Sequence, residues 1–99
     1  MFKVTDVTVE VACATGTGKI REEVWCDDTG RVVRYNLAFI NHFLTLRDNG
    51  RVLGYDSAHG HHHRHYLGSV EPIEFHSFAE LSDRFYSEVS VLRKRRRKA

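Results

Sequence analysis

"RVVRYNLAFINHFLTLRDNGRVLGYD", residues 31–56, decides the fold. Its first part places Val33, Tyr35, Leu37, Phe39 and Phe43 on alternate positions, the period of a strand with one buried face. Arg47-Asp48-Asn49-Gly50 follows, and Asn-Gly between two apolar runs is a strong short-range signal for a hairpin. "RVLGYD" then pairs back. A strand followed at once by its return predicts an antiparallel pair.

The same period extends towards the N-terminus. In "KVTDVTVEVACA", Val7, Val9, Val11 and Cys13 alternate with Thr8, Glu10 and Ala12. "TGTG" supplies turn residues, and "KIREEVWC" returns with Ile20, Glu22, Val24 and Cys26 on one side. A hairpin centred on Gly16 and Thr17 would put Cys13 opposite about residue 20, away from Cys26. Two cysteines are too few for a disulfide framework, and reduced thiols packed as small apolar groups are expected. "DDTG", residues 27–30, turns the chain into the stretch quoted above. Four antiparallel strands result.

On the C-terminal side "VEPIEF" is short and extended, limited by Pro72. Ser77-Phe78-Ala79-Glu80 then fits a capping box, with Ser77 as N-cap and Glu80 reaching back to its amide. Phe78, Leu81, Phe85, Val89 and Leu92 recur at helical spacing and form one apolar stripe, long enough to cover one face of a small sheet. The predicted fold is α+β: a small antiparallel β-meander with one C-terminal α-helix packed across it. Residues 1–92 form a single domain and 93–99 a basic tail.

Charge is distributed unevenly. The net charge of the 99 residues is +2, yet "RKRRRK", residues 93–98, holds six of the fifteen basic residues. Without it nine basic residues face thirteen acidic ones, a net of −4. Arg93, Lys94, Arg95, Arg96, Arg97 and Lys98 are therefore the candidate RNA-binding residues, giving salt-sensitive phosphate affinity. A basic helix end also suits the helix dipole, so composition alone does not choose between the two roles. No apolar run approaches the roughly 18 residues of a membrane span, and "MFKVTDVTVE" carries charge where a signal peptide needs apolar residues. A soluble, cytoplasmic protein without a membrane partner is expected.

The chemistry is concentrated in "GYDSAHGHHHRHYLG", residues 54–68, which holds five of the seven histidines. On a strand, His61, His63 and His65 point to one side and His62, Arg64 and Tyr66 to the other. His-x-His on a strand can share a zinc ion, and His59, His61 and His63 are the alternative ligands, for Zn or Mn; Gly60 would permit the bend this needs. Metal-free RNA cleavage is the second reading. It needs a base for the 2′-hydroxyl proton, an acid for the 5′-oxygen and a cation for the phosphorane. Histidine serves both proton transfers near neutral pH, and arginine holds phosphate in a bidentate grip. The catalytic candidates are His62, His63, His65, Arg64, Tyr66 and Asp56, the last orienting a histidine. The third reading is a solvated polar loop. His42, read as mid-strand, and His76, just before the helix cap, are expected to be structural.

Tyr55-Asp56, a glycine-containing gap, His63-Arg64-His65 and Gly68, followed by "EPIEF" and "SFAEL", resemble the TumE family of toxins from bacterial and archaeal toxin–antitoxin pairs. The resemblance spans roughly residues 31–92 and is best over 51–89. Ser57 stands where the family pattern has Asn, and Arg84 where Asp is common. The resemblance implies a growth-inhibiting toxin of a type II pair, held inactive by a cognate antitoxin that is a small helix-turn-helix DNA-binding protein. RNA cleavage is the activity expected of such a toxin, making this chain an endoribonuclease with no cofactor. A non-enzymatic nucleic-acid- or partner-binding module and a metal-dependent hydrolase are the alternatives. A homodimer is compatible with each.

Overall fold

A computed structural model describes residues 1–58 and 60–96. It is an α+β fold: a six-stranded antiparallel meander with one C-terminal helix on one face. The strands are β1 (Phe2–Cys13), β2 (Gly16–Cys26), β3 (Val32–Ile40), β4 (Arg51–Ala58), β5 (His61–Tyr66) and β6 (Ser69–Pro72), paired in chain order; α1 is Phe78–Leu92. The histidine segment and "SVEP" extend the expected four strands to six.

Turn chemistry sets the registers. The first hairpin turns at Ala14-Thr15, tighter than a turn centred on Gly16 and Thr17, so Cys13 faces Gly16. Both thiols are free, Cys26 buried and Cys13 half-buried. At the second turn Asp27 Oδ1 accepts from the Thr29 amide at 2.9 Å, the Thr29 hydroxyl at 2.6 Å and the Arg31 amide at 3.1 Å. One aspartate thus closes the loop, as Asx turns do.

The β3–β4 connection departs from the expected Asn-Gly hairpin. β3 ends at Ile40 because the Asn41 side chain takes the chain off the strand. Its Oδ1 accepts from the Phe43 amide at 2.9 Å, and its Nδ2 donates to Thr15 Oγ1 at 3.0 Å. Leu44 then folds back into the core while Phe43, expected on the apolar face, is 61% exposed. Asp48 and Asn49 take left-handed conformations in a short 3₁₀ turn, and the Asn41 amide closes the loop on Gly50 O at 2.8 Å. His42 therefore sits exposed in this loop and not mid-strand.

The core lies between the sheet and α1. Tyr35, Leu37 and Phe39 of β3 and Leu53 and Tyr55 of β4 meet Leu81, Phe85, Val89 and Leu92 of the helix. Phe85 is fully buried and packs edge-on to Tyr55 at 6.2 Å. Val33 shares this side but is 47% exposed, beyond the first helical turn, where Phe78 meets Tyr35. The Ser77 hydroxyl accepts from the Glu80 amide at 3.1 Å, so the N-cap is formed. The reciprocal bond from the Ser77 amide to the Glu80 carboxylate is absent among the described residues. No helix is long and apolar enough to cross a membrane among the described residues.

Candidate functional site on the open sheet face

Register assigns every side chain of β5 to a face. Tyr55 pairs with Arg64 and Ser57 with His62, so these share the helix side; Asp56 pairs with His63 and Gly54 with His65, on the open side. The alternation expected for the histidine segment is therefore present, and it divides the candidate residues into two sets.

The helix-side set is engaged with the fold. Arg64 pairs with Glu88 of α1, donates to the Tyr55 hydroxyl at 3.1 Å and lies 5.0 Å over the Tyr66 ring. The Glu88 hydrogen bond holds the Arg64 guanidinium charged well above its usual range. Burial would raise Glu88, but its bonds from Arg64 and Tyr55 win and hold its carboxyl below the usual range. Burial and the Glu88 bond push the Tyr55 hydroxyl up to about 12. His62 stacks on Phe75, centroids 4.2 Å apart and planes within 8°, with Nδ1 2.8 Å from the Tyr35 hydroxyl. Burial, then the neighbouring His63 and His61, lower its pKa and favour the neutral ring. Tyr66 accepts from Arg95 at 2.9 Å.

The open-side set lies on the sheet face that no helix covers among the described residues. Asp56 stands between two imidazoles: Oδ2 lies 2.9 Å from His65 Nε2, and Oδ1 lies 3.8 Å from His63 Nδ1. The two rings are 6.5 Å apart. The His65 approach is off-axis, an ion-pair contact and not an aligned hydrogen bond, which leaves this buried nitrogen without a hydrogen-bond partner. His63 is the more accessible, its side chain 35% exposed against 15% for His65. With Nδ1 turned towards the carboxylate, its Nε2 is left for a substrate. His61, exposed, continues the row.

A cation that sequence reading missed completes the set. Arg51 extends along the open face, its Nε 2.7 Å from Asp48 and its Nη1 3.9 Å from Asp56. It lies flat because residue 54 is glycine: a Cβ there would come within 2.8 Å of Arg51 Cδ. Strand alternation alone would put Arg51, five residues from Asp56, on the opposite face; the irregularity that pairs Phe39 with Leu53 but Ile40 with Arg51 turns it onto the open side, and the sequence carries no spacing signal for that. Further out, Trp25, Arg34, Asn36, Glu23, Arg21 and Lys3 occupy the same face of β1, β2 and β3. Lys3 and Arg21 are matched by Asp6 and Glu23 at 2.7–3.4 Å. A groove of about 360 Å³ runs between Trp25 and Arg34 on one side and Arg51 and Asp56 on the other.

The remaining candidates fall elsewhere. No group of three or more His, Cys, Asp or Glu side chains that could hold a metal is formed among the described residues. Of the alternative ligands His59, His61 and His63, the first lies outside the described residues. His76 is exposed, 3.6 Å from Glu74. The tail begins on the helix side: Arg93 Nε donates to Ala12 O at 2.7 Å, and Arg95 reaches Tyr66, while Lys94 and Arg96 are exposed. Arg97 and Lys98 lie outside the described residues.

Compared with known protein families, with curated proteins and with solved structures, the chain matches none.

Proposed function

We propose that this chain is a metal-independent endoribonuclease, with His63 and His65 as the proton-transfer pair on the open sheet face. The supporting observation is Asp56, set between these two imidazoles with Arg51 beside it. His63, the more accessible ring, takes the 2′-hydroxyl proton through Nε2, and the carboxylate on its other nitrogen holds the ring in orientation. The 2′-oxygen attacks phosphorus, the P–O5′ bond breaks, and His65 returns a proton to the departing 5′-oxygen. The products are a 2′,3′-cyclic phosphate and a free 5′-hydroxyl. Arg51 donates to the non-bridging oxygens, where negative charge develops.

In this reading Arg64, Tyr66 and His62 hold the strand against the helix and do not touch substrate. The biological setting that the motif suggests is a cytoplasmic toxin with a cognate helix-turn-helix antitoxin. The exposed Lys94, Arg95 and Arg96 on the helix side favour one rival, a non-enzymatic binder acting through the tail. A metal-dependent hydrolase is the other.

The test is a labelled single-stranded RNA incubated with wild type and with His65→Ala, with and without EDTA, with the product ends analysed. Cleavage that survives EDTA and leaves a cyclic phosphate is expected, with the variant slower by about 10²–10⁴-fold. EDTA-sensitive cleavage restored by Zn or Mn would assign the histidines to metal. Equal rates for a folded His65→Ala would remove His65 from the chemistry.

A further inference from the structure

Trp25 is the only tryptophan of the chain. It is half-buried on the open face and carries two cations against its ring, Arg34 at 4.7 Å and Lys3 at 5.0 Å. Their situations differ. Lys3 is neutralised by Asp6 at 2.8 Å and Glu23 at 2.7 Å, whereas Arg34 is exposed and has no carboxylate within ion-pair distance among the described residues. Arg51, across the groove, is matched by Asp48. Arg34 is thus a planar, unneutralised guanidinium stacked on an indole.

The groove floor carries one polar reader. Asn36 Nδ2 donates to Glu23 Oε1 at 3.1 Å. The Lys3 bond and then the Asn36 bond hold Glu23 below the usual carboxylate range, so an anion fixes which way the amide points. Asn36 Oδ1 and its second N–H are left for a ligand. Asn36 pairs directly with Asp56 across β3 and β4, and Trp25 pairs with Arg34 across β2 and β3. With strands about 4.8 Å apart, the stack lies roughly 10 Å from the Asp56 strand, within reach of a nucleotide adjoining the scissile phosphate.

We propose that the Trp25–Arg34 stack and Asn36 form a nucleobase subsite that takes an unpaired base of single-stranded RNA next to the cleaved phosphate. This deepens the cleavage reading and rests on it for the position of the phosphate. Bases stack on aromatic rings and on arginine planes alike, typically adding about 1–3 kcal/mol per base. A groove of about 360 Å³ is at the lower end of ligand-site size, enough for one base but not for a duplex. A paired base is already stacked within its helix and presents no free face.

The single tryptophan makes the test direct. The full chain is titrated with a 2′-O-methyl single-stranded hexamer, which cannot be cut, and with its duplex form, while the Trp25 emission is followed. Expected are quenching by the single strand, a duplex at least 10-fold weaker, and binding weakened 5- to 50-fold in both Arg34→Ala and Arg34→Lys, since lysine keeps the charge and loses the plane. Quenching with no cleavage of ordinary RNA would leave the subsite standing and sink the enzyme. Cleavage with no quenching, or Arg34→Lys binding as tightly as wild type, would overturn the subsite and leave the enzyme.

Discussion

The two faces of β5 each carry histidine, in opposite conditions. On one side His62, Arg64 and Tyr66 are each matched to a fixed partner: Tyr35 and Phe75, Glu88 and Tyr55, Arg95. On the other, His61 is exposed, His63 is half-buried and His65 is the most covered of the three, and Asp56 lies beside the latter two without a well-aligned bond to either. The difference comes from the helix. α1 covers one face of the sheet and brings Glu88 to Arg64; no element covers the other among the described residues. A histidine-rich string is therefore neither a site nor a loop as a whole. The strand alternation splits it, and the covered half supports the uncovered half.

The largest expected effect breaks the covered half. Arg64→Ala removes the nearer charged partner of Glu88 and a donor to the Tyr55 hydroxyl in a partly buried setting, Arg64 being 17% and Glu88 25% exposed, and leaves Glu88 only Arg84 at 3.7 Å. A loss of about 2–3 kcal/mol is expected in urea denaturation. His63→Ala, on the open face, should stay within about 0.5 kcal/mol of wild type. If the two variants were equally stable, the division between a covered and an open face would fail.

Much of this division is legible from the residues. Strand alternation separates His62, Arg64 and Tyr66 from His63 and His65, the capping serine and apolar stripe of α1 read directly, and the meander follows from its turns. Three things are not legible. Nothing in "HHHRHY" says which side the helix takes, because that depends on Glu88, 24 residues from Arg64, reaching it across α1. Phe43 fits the strand period, yet the Asn41 side chain ends the strand before it. Arg51, Trp25 and Arg34 come from three different strands and converge only through register. Cross-strand sites of this kind leave no spacing signal in a sequence.

An intermediate effect concerns the start of the helix. Ser77→Ala removes the acceptor for the Glu80 amide and should cost about 1 kcal/mol. The first turn carries Phe78, packed against Tyr35 at 5.6 Å, so the loosening belongs to the helix side. Trp25 emission, which reports the open face, should be unchanged in the folded variant. A shifted emission would mean that the two faces are coupled through β3.

The smallest effect is one of pH. Burial, then the neighbouring His63 and His61, keep His62 below its ordinary value of 6.5, so the folded protein resists a proton that the unfolded chain accepts. Below that value the unfolded state binds more protons, and stability falls as pH falls. The contribution is fully present above 6.5 and is lost as pH drops towards the lowered folded value. His62→Phe keeps a flat ring against Phe75 but cannot be charged. Its denaturation midpoint should therefore decline less than that of wild type between pH 7 and 5, with parallel behaviour above 7. The Tyr35 hydroxyl, which burial and then Asp56 keep protonated, loses its partner in this variant, so some stability at neutral pH goes with it. The slope and not the level is the informative readout. Identical slopes would mean that the His62 ring is as free to take a proton as an exposed one, and the stacked, neutral histidine of the covered face would have to be abandoned.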